Sequence, residues 1–285
     1  MKYFQKNPKN NKFKLLTLCL FLILCRMGAA REGVNVGAES AFTNLVPAEQ
    51  VEQTAKQQYY QLLNEAKSNR ALAASSHPLF LQVSAISRRL IPIAVTWNKR
   101  AQDWKWEVNV IGSNTVNAFC MPGGKIAVYS GLLQQLKLTD DEVAMVLGHE
   151  MTHAVREHAR ERMGKGEVTQ GVAAVGGFVA AQVFGIDPRL TGMVARQGSE
   201  LLLLKFSRQD ETEADLIGME LAARAGYDPR AAITLWQKMS QMNSNSPPQW
   251  LSTHPAAQTR IKELENNLSR VMPLYHQARK NQGLQ

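Results

Sequence analysis

The chain has 285 residues, 45% of them apolar, and 33 Lys and Arg against 24 Asp and Glu, a formal net charge of +9. This length buries one sizeable core rather than several. Residues 1–30 hold six of the basic residues and no acid, so the remainder carries 27 basic and 24 acidic side chains. That near-balance, without basic and aromatic interleaving, excludes nucleic acid as a partner.

Lys2, Lys6, Lys9, Lys12 and Lys14 precede an apolar run, Leu15 to Cys25, in which only Thr17 is polar, and Gly28-Ala29-Ala30 follows. A basic segment, a short apolar segment and small residues are the three parts of a signal peptide, predicted over residues 1–30. The run is short for a membrane span, and an uncleaved anchor is the alternative. Lipidation of Cys25 is another, although a lipobox needs a small residue where Leu24 stands. Cys19 and Cys25 lie in this segment, which leaves Cys120 alone in the exported chain and no intramolecular disulfide.

Residues 31–46 lack periodicity and read as a flexible N-terminal arm, with a single domain expected over 47–285. A helix is expected over 48–68 with Val51, Tyr59, Leu62, Leu63 and Ala66 on its buried side, and another over 80–101, bent at Pro92. Trp104 to Val110 alternates like a half-buried strand. Lys125 to Tyr129 reads as a second, reached through Asn117–Met121 and the turn Pro122-Gly123-Gly124, so a small antiparallel sheet is expected.

Thr139-Asp140-Asp141-Glu142 is a capping box, so a helix should run from Asp140 to about Met163. The apolar stretch 171–185 is too short for a comfortable span and reads as a buried or surface-docking helix. Further helices are expected over 210–225, ended by Gly226, over 229–242, and over 256–271 after the break at Pro247-Pro248. No internal repeat is visible, and no C-terminal repeat domain is expected.

The chemistry is concentrated on the helix starting at Asp140. His149-Glu150-Met151-Thr152-His153 reads H-E-x-x-H, which on a helix stacks two imidazoles one turn apart beside a carboxylate. That is the pattern of a zinc site with its own general base. Two histidines leave a catalytic zinc one protein ligand short. Downstream, Glu211 and Asp215 are one helical turn apart, so Glu211 can ligate while Asp215 holds a motif histidine by its second ring nitrogen.

These features, with Asn117-Ala118-Phe119, Ser207-Arg208 and Thr253-His254-Pro255 followed by Arg260, resemble the HtpX-like and CAAX-prenyl-protease-like zinc metallopeptidase family, in its exported LoiP/BepA type. The resemblance covers Asn117 to Arg260. It implies an α+β, mainly helical, zincin-like (gluzincin) domain with its small sheet beside the active-site helix. It implies one zinc per chain on His149, His153 and Glu211, Glu150 as general base, Asp215 as orienter, and His254 and Arg260 near the reacting atoms. His254 would either stabilise the oxyanion or latch the open zinc position. An extended substrate would lie along Asn117, Ala118 and Phe119. The implied setting is the periplasm, in association with the outer membrane, and the implied substrates are misfolded or misassembled envelope proteins. A latched zinc-bearing chaperone is the competing reading.

Other residues carry plainer expectations. His158 is expected on a solvated helix face, and His77 and His276 on the surface. Glu213 is expected to point away from the metal, Asp210 to be a helix-start acid, Trp104 and Trp106 to pack, and Cys120 to be no nucleophile.

Overall fold

The computed structural model describes residues 32–175, 205–242, 249–255 and 258–283. The chain divides into two compact units, Met1–Gly33 and Val34–Gln285, and all elements below belong to the second. The expected signal peptide and most of the apolar stretch 171–185 lie outside the described residues.

Residues 34–46 are not a free arm. Ala41–Leu45 forms a 3-10 turn capped by Ser40, Val34, Thr43 and Val46 are buried, and the Arg160 guanidinium donates to the Thr43 and Val46 carbonyls. Ordering this stretch answers the backbone groups it would otherwise leave unpaired.

Helix α1 (Ala48–Ser68) buries Val51, Ala55, Tyr59, Leu63 and Ala66, one residue per turn along a single stripe. Helix α2 (Pro78–Ala94) starts with Pro78 after His77, whose ring accepts from Leu79 N. It gives way to 3-10 turns Val95–Trp97 and Lys99–Gln102 rather than continuing to residue 101. Pro92 sits in the last turn, where its missing donor ends the regular ladder. Pro78–Trp97 is long and apolar enough to cross a membrane, but Val83, Ile86, Leu90 and Ala94 are core residues of this fold.

The sheet is mixed, not antiparallel. Strand β1 (Glu107–Ile111) pairs parallel with β3 (Lys125–Tyr129), and β2 (Ala118–Met121) pairs antiparallel with β3, giving the order β1-β3-β2. The segment expected as a connection is itself a strand. Gly123 and Gly124 (φ 83° and 73°) make the tight turn into β3, so β3 returns between the other two. The alternation then sorts the faces. Tyr59, Met121, Ala127 and Ile111 meet on the α1 side, while Val110, Ala118, Cys120, Ile126 and Val128 join the main core. Trp104 and Trp106 precede β1 and pack against that core as expected.

After the short α3 (Ser130–Gln135), the motif helix is two helices rather than one. Helix α4 (Asp140–Val155) ends at Arg156, Glu157 takes φ 56°, and α5 (His158–Val175) sets off anew. A left-handed residue cannot continue an α-helix, so the chain turns there. Helices α6 (Arg208–Arg224), α7 (Ala231–Gln241), α8 (Gln249–Thr253) and α9 (Gln258–Asn281) are the remaining elements among the described residues. Helix α9 runs ten residues past the expected end at Val271, because Val271 and Leu274 are buried and carry it on through Pro273.

Candidate metal centre

Two helices present the site, and each starts on a capping box. In α4, Glu142 N donates to Thr139 Oγ1 (3.3 Å) and Thr139 N to Glu142 Oε2 (2.9 Å). In α6, Asp210 N donates to Ser207 Oγ (3.2 Å) and Ser207 N to Asp210 Oδ2 (2.8 Å), the helix-start role expected of Asp210. The helices cross where Gly148 meets Gly218. A Cβ on Gly148 would lie 2.6 Å from the Gly218 carbonyl oxygen, and one on Gly218 2.6 Å from His149 N. This approach is open only to glycine, and it brings Glu211 and Asp215 onto the two motif histidines.

His149, His153, Glu211 and His254 are all buried, and one ligand atom of each lies within 4.8 Å of the others. His149 Nε2 is 3.1 Å from His153 Nε2, 3.6 Å from Glu211 Oε2 and 3.2 Å from His254 Nδ1. Glu211 Oε1 is 3.6 Å from His153 Nε2 and 2.9 Å from His254 Nδ1. Ligands at ~2.0–2.1 Å around a tetrahedral zinc stand roughly 3.3 Å apart, so these spacings fit that ion. The protonation pattern fits as well. His149 Nδ1 faces the Asp215 carboxylate at 3.0 Å and so carries its hydrogen, which leaves an Nε2 lone pair directed at other lone pairs. Glu211 Oε2, 2.8 Å from Arg260 Nη1, nevertheless accepts no hydrogen bond because the contact is off the N–H direction.

Burial, then the neighbouring imidazoles His149, His158 and His254, holds His153 well below the ordinary histidine range, so its ring is neutral. Burial opposes the charge of Asp215, but Arg260 and His149 outweigh it and bring its pKa to about 2. Burial likewise opposes Glu211, and His254, His149 and Arg260 hold it below the ordinary range. For His254, burial is outweighed by Glu150 and Glu211, which hold it above.

Glu150 accepts a hydrogen bond from Trp250 Nε1 at 2.7 Å and lies 3.6 Å from His254 Nε2. Arg260 grips Asp215 with Nε at 2.6 Å and Nη2 at 2.7 Å, with its guanidinium 3.7 Å over the Trp236 ring. It stands behind the carboxylates rather than facing a substrate. Asn117, Ala118 and Phe119 line a cleft together with Glu150, His153, Phe206 and His254. Cys120 is buried, and burial holds its thiol well above its ordinary value.

One expectation fails. His158 is 1% exposed, with Nδ1 2.9 Å from His153 Nδ1 and Nε2 3.1 Å from Glu213 Oε2. Glu213 does point away from the cluster, but into protein, with Oε1 2.6 Å from Arg156 Nη2. The turn at Glu157 folds α5 back on α4, a non-local event that spacing along one helix conceals. Trp236, Trp250 and Phe206, the last stacked on His153 at 3.9 Å, were also not anticipated. The signal for Trp250 was its place one turn before His254.

An H-E-x-x-H helix crossed by a helix bearing the third acidic donor defines a zinc metalloendopeptidase. Residues 80–268 match the model of peptidase family M48, and the chain belongs to that family. It is 33% identical over 271 residues to "Mitochondrial metalloendopeptidase OMA1" of Schizosaccharomyces pombe, covering 93% of this chain and 74% of that one. It is 33% identical over 180 residues to "Metalloendopeptidase OMA1, mitochondrial" of Homo sapiens, covering 59% and 33%. It is 29% identical over 178 residues to "Beta-barrel assembly-enhancing protease" of Escherichia coli, covering 59% and 36%. The chain thus spans three quarters of the first relative's length and about a third of the other two. The resemblance to the family holds; its narrower LoiP/BepA placement is not what these identities favour.

Proposed function

We propose that the chain is a zinc endopeptidase of the cell envelope that hydrolyses misfolded or misassembled proteins, with His149, His153 and Glu211 as ligands and Glu150 as general base. The observation that carries it is the buried meeting of those three donors with Glu150 at the mouth of a cleft walled by β2. The chemistry supplied by a bound zinc is the acidification of water and the polarisation of a carbonyl. Glu150 takes the water proton and hands it to the leaving amine, and Trp250 Nε1 fixes the carboxylate for both transfers. Strand β2 has no strand on its far side among the described residues. A peptide can therefore extend the sheet along Asn117–Phe119 and bring a carbonyl to the site.

The envelope setting rests on the basic and apolar pattern of residues 1–30 and on the Escherichia coli relative; the mitochondrial relatives set a different compartment beside it. Association with the outer membrane and a placement near the exported periplasmic type are parts of the same proposal. So is the domain plan, in which residues 1–30 are removed. Degradation of an unfolded model protein by the zinc-loaded chain 31–285 tests the activity, with Glu150→Gln lowering the rate about 10²–10⁴-fold. Equal inertness of both would remove the reading.

A second reading is favoured by one contact. His254 Nδ1 lies 3.2 Å from His149 Nε2 and 2.9 Å from Glu211 Oε1, where a fourth ligand would stand. A closed set of four protein donors describes a latched protein acting mainly by binding, as a chaperone would. Higher activity in His254→Ala supports the latch, and lower activity supports an oxyanion role for His254.

A further inference from the structure

The two motif histidines are held from behind by different means. His149 Nδ1 meets the Asp215 carboxylate directly at 3.0 Å. His153 Nδ1 meets another imidazole, His158, at 2.9 Å. His158 Nε2 in turn lies 3.1 Å from Glu213 Oε2, and Glu213 Oε1 lies 2.6 Å from Arg156 Nη2, whose second contact is the Gly37 carbonyl at 2.8 Å. His153 and His158 are at most 3% exposed and Glu213 is nearly enclosed, so these contacts are made inside the protein.

The hydrogens along this chain have one consistent arrangement. The Glu213 carboxylate can only accept, so His158 Nε2 carries a hydrogen and donates it. A neutral His158 then has a lone pair on Nδ1, and His153 must carry its hydrogen on Nδ1 to meet it. That leaves the His153 Nε2 lone pair facing His149 Nε2 and Glu211. The geometry depends on the turn at Glu157, whose φ of 56° ends α4 and lets the first residue of α5 swing back. On a continuous helix, positions five apart point about 140° away from each other and could not touch. Glu157 is held there by an ion pair with Arg160.

We propose that His158, backed by Glu213 and Arg156, is a positioning residue that sets the tautomer and ring orientation of His153 for metal binding. This rests on the zinc reading above. One helix, α6, thereby supplies a ligand in Glu211 and the anchors of both motif histidines, Asp215 directly and Glu213 through His158.

Zinc affinity of the full chain, measured by competition with a chromogenic chelator, tests this apart from activity. Wild-type chain taking up one zinc supports the reading on which the inference rests; no uptake removes both. Given uptake, His158→Phe keeps the ring volume, lacks the acceptor and should bind about 10–100-fold more weakly. His158→Asn restores an acceptor near the Nδ1 position and should recover part of that loss, although it packs worse. Glu213→Gln, which can still accept from His158, should lose less than His158→Phe. Wild-type affinity in His158→Phe, or equal losses in the Phe and Asn variants, would overturn the positioning role while leaving the zinc site in place. Circular dichroism of the metal-free variants reports whether each folds. Should His158→Phe not fold, the Asn and Gln variants decide alone: wild-type affinity in both overturns the role.

Discussion

Asp215 carries more of the site than its distance from the reacting atoms suggests. It is buried, accepts twice from Arg260, faces His149 Nδ1 and receives Trp236 Nε1 at 3.3 Å. Asp215→Asn preserves the shape but leaves Arg260 with only Glu211 to balance it. Removing one partner of a buried pair costs about 3–5 kcal/mol, and the Glu211 contact should place the loss near the lower end. Urea unfolding of the metal-free chain measures it; an unchanged midpoint would show that Asp215 is not ionised in the folded protein. The i, i+4 spacing of Glu211 and Asp215 was legible because both lie on one helix. The Arg260 clamp was legible only as a resemblance, since α9 reaches α6 across the fold.

At the scale of the element, the crossing of α4 and α6 is the decisive contact. Gly218→Ala would set a methyl 2.6 Å from His149 N, against backbone that cannot rotate away. Overpacking of this kind costs about 1–3 kcal/mol, and here it also separates Glu211 from the motif histidines. Zinc affinity should therefore fall more steeply than the melting temperature of the metal-free chain; a variant that melts lower but binds zinc normally would refute the coupling.

The start of α4 is held by charge as well as by its cap. Burial opposes the Glu142 carboxylate, yet Lys238 at 2.6 Å, the Thr139 amide and Thr234 outweigh it and hold its pKa below the ordinary value. A carboxyl lowered in the folded state contributes stability above its unfolded value of about 4.3. That contribution is lost as pH falls through the lower folded value. Glu142→Gln keeps the capping hydrogen bond, so the difference from wild type should be about 1 kcal/mol near neutrality and should vanish in acid. A difference independent of pH would assign the effect to packing.

For the whole molecule, a site that exists only in the folded state ties metal binding to stability. Zinc at 100 times its dissociation constant should add about 2.7 kcal/mol. In a chain of this size that raises the melting temperature by roughly 4–5 °C. Chelation should reverse the gain, and His149→Ala should abolish it. An identical melting curve with and without zinc would show that the cluster does not hold that ion.

What the chain determined by itself is local: the capping box at Thr139, the H-E-x-x-H turn, the Glu211–Asp215 spacing and the stripe of α1 depend on neighbours within a few residues. Those interactions recur at fixed helical intervals and can be counted along the sequence. The tertiary structure alone decided the mixed order of the sheet, the break at Glu157, the burial of His158 against His153 and the placing of Trp250 on Glu150. Each of these joins residues distant in sequence, or turns on one backbone dihedral, and packing selects among such arrangements only when the whole core has closed.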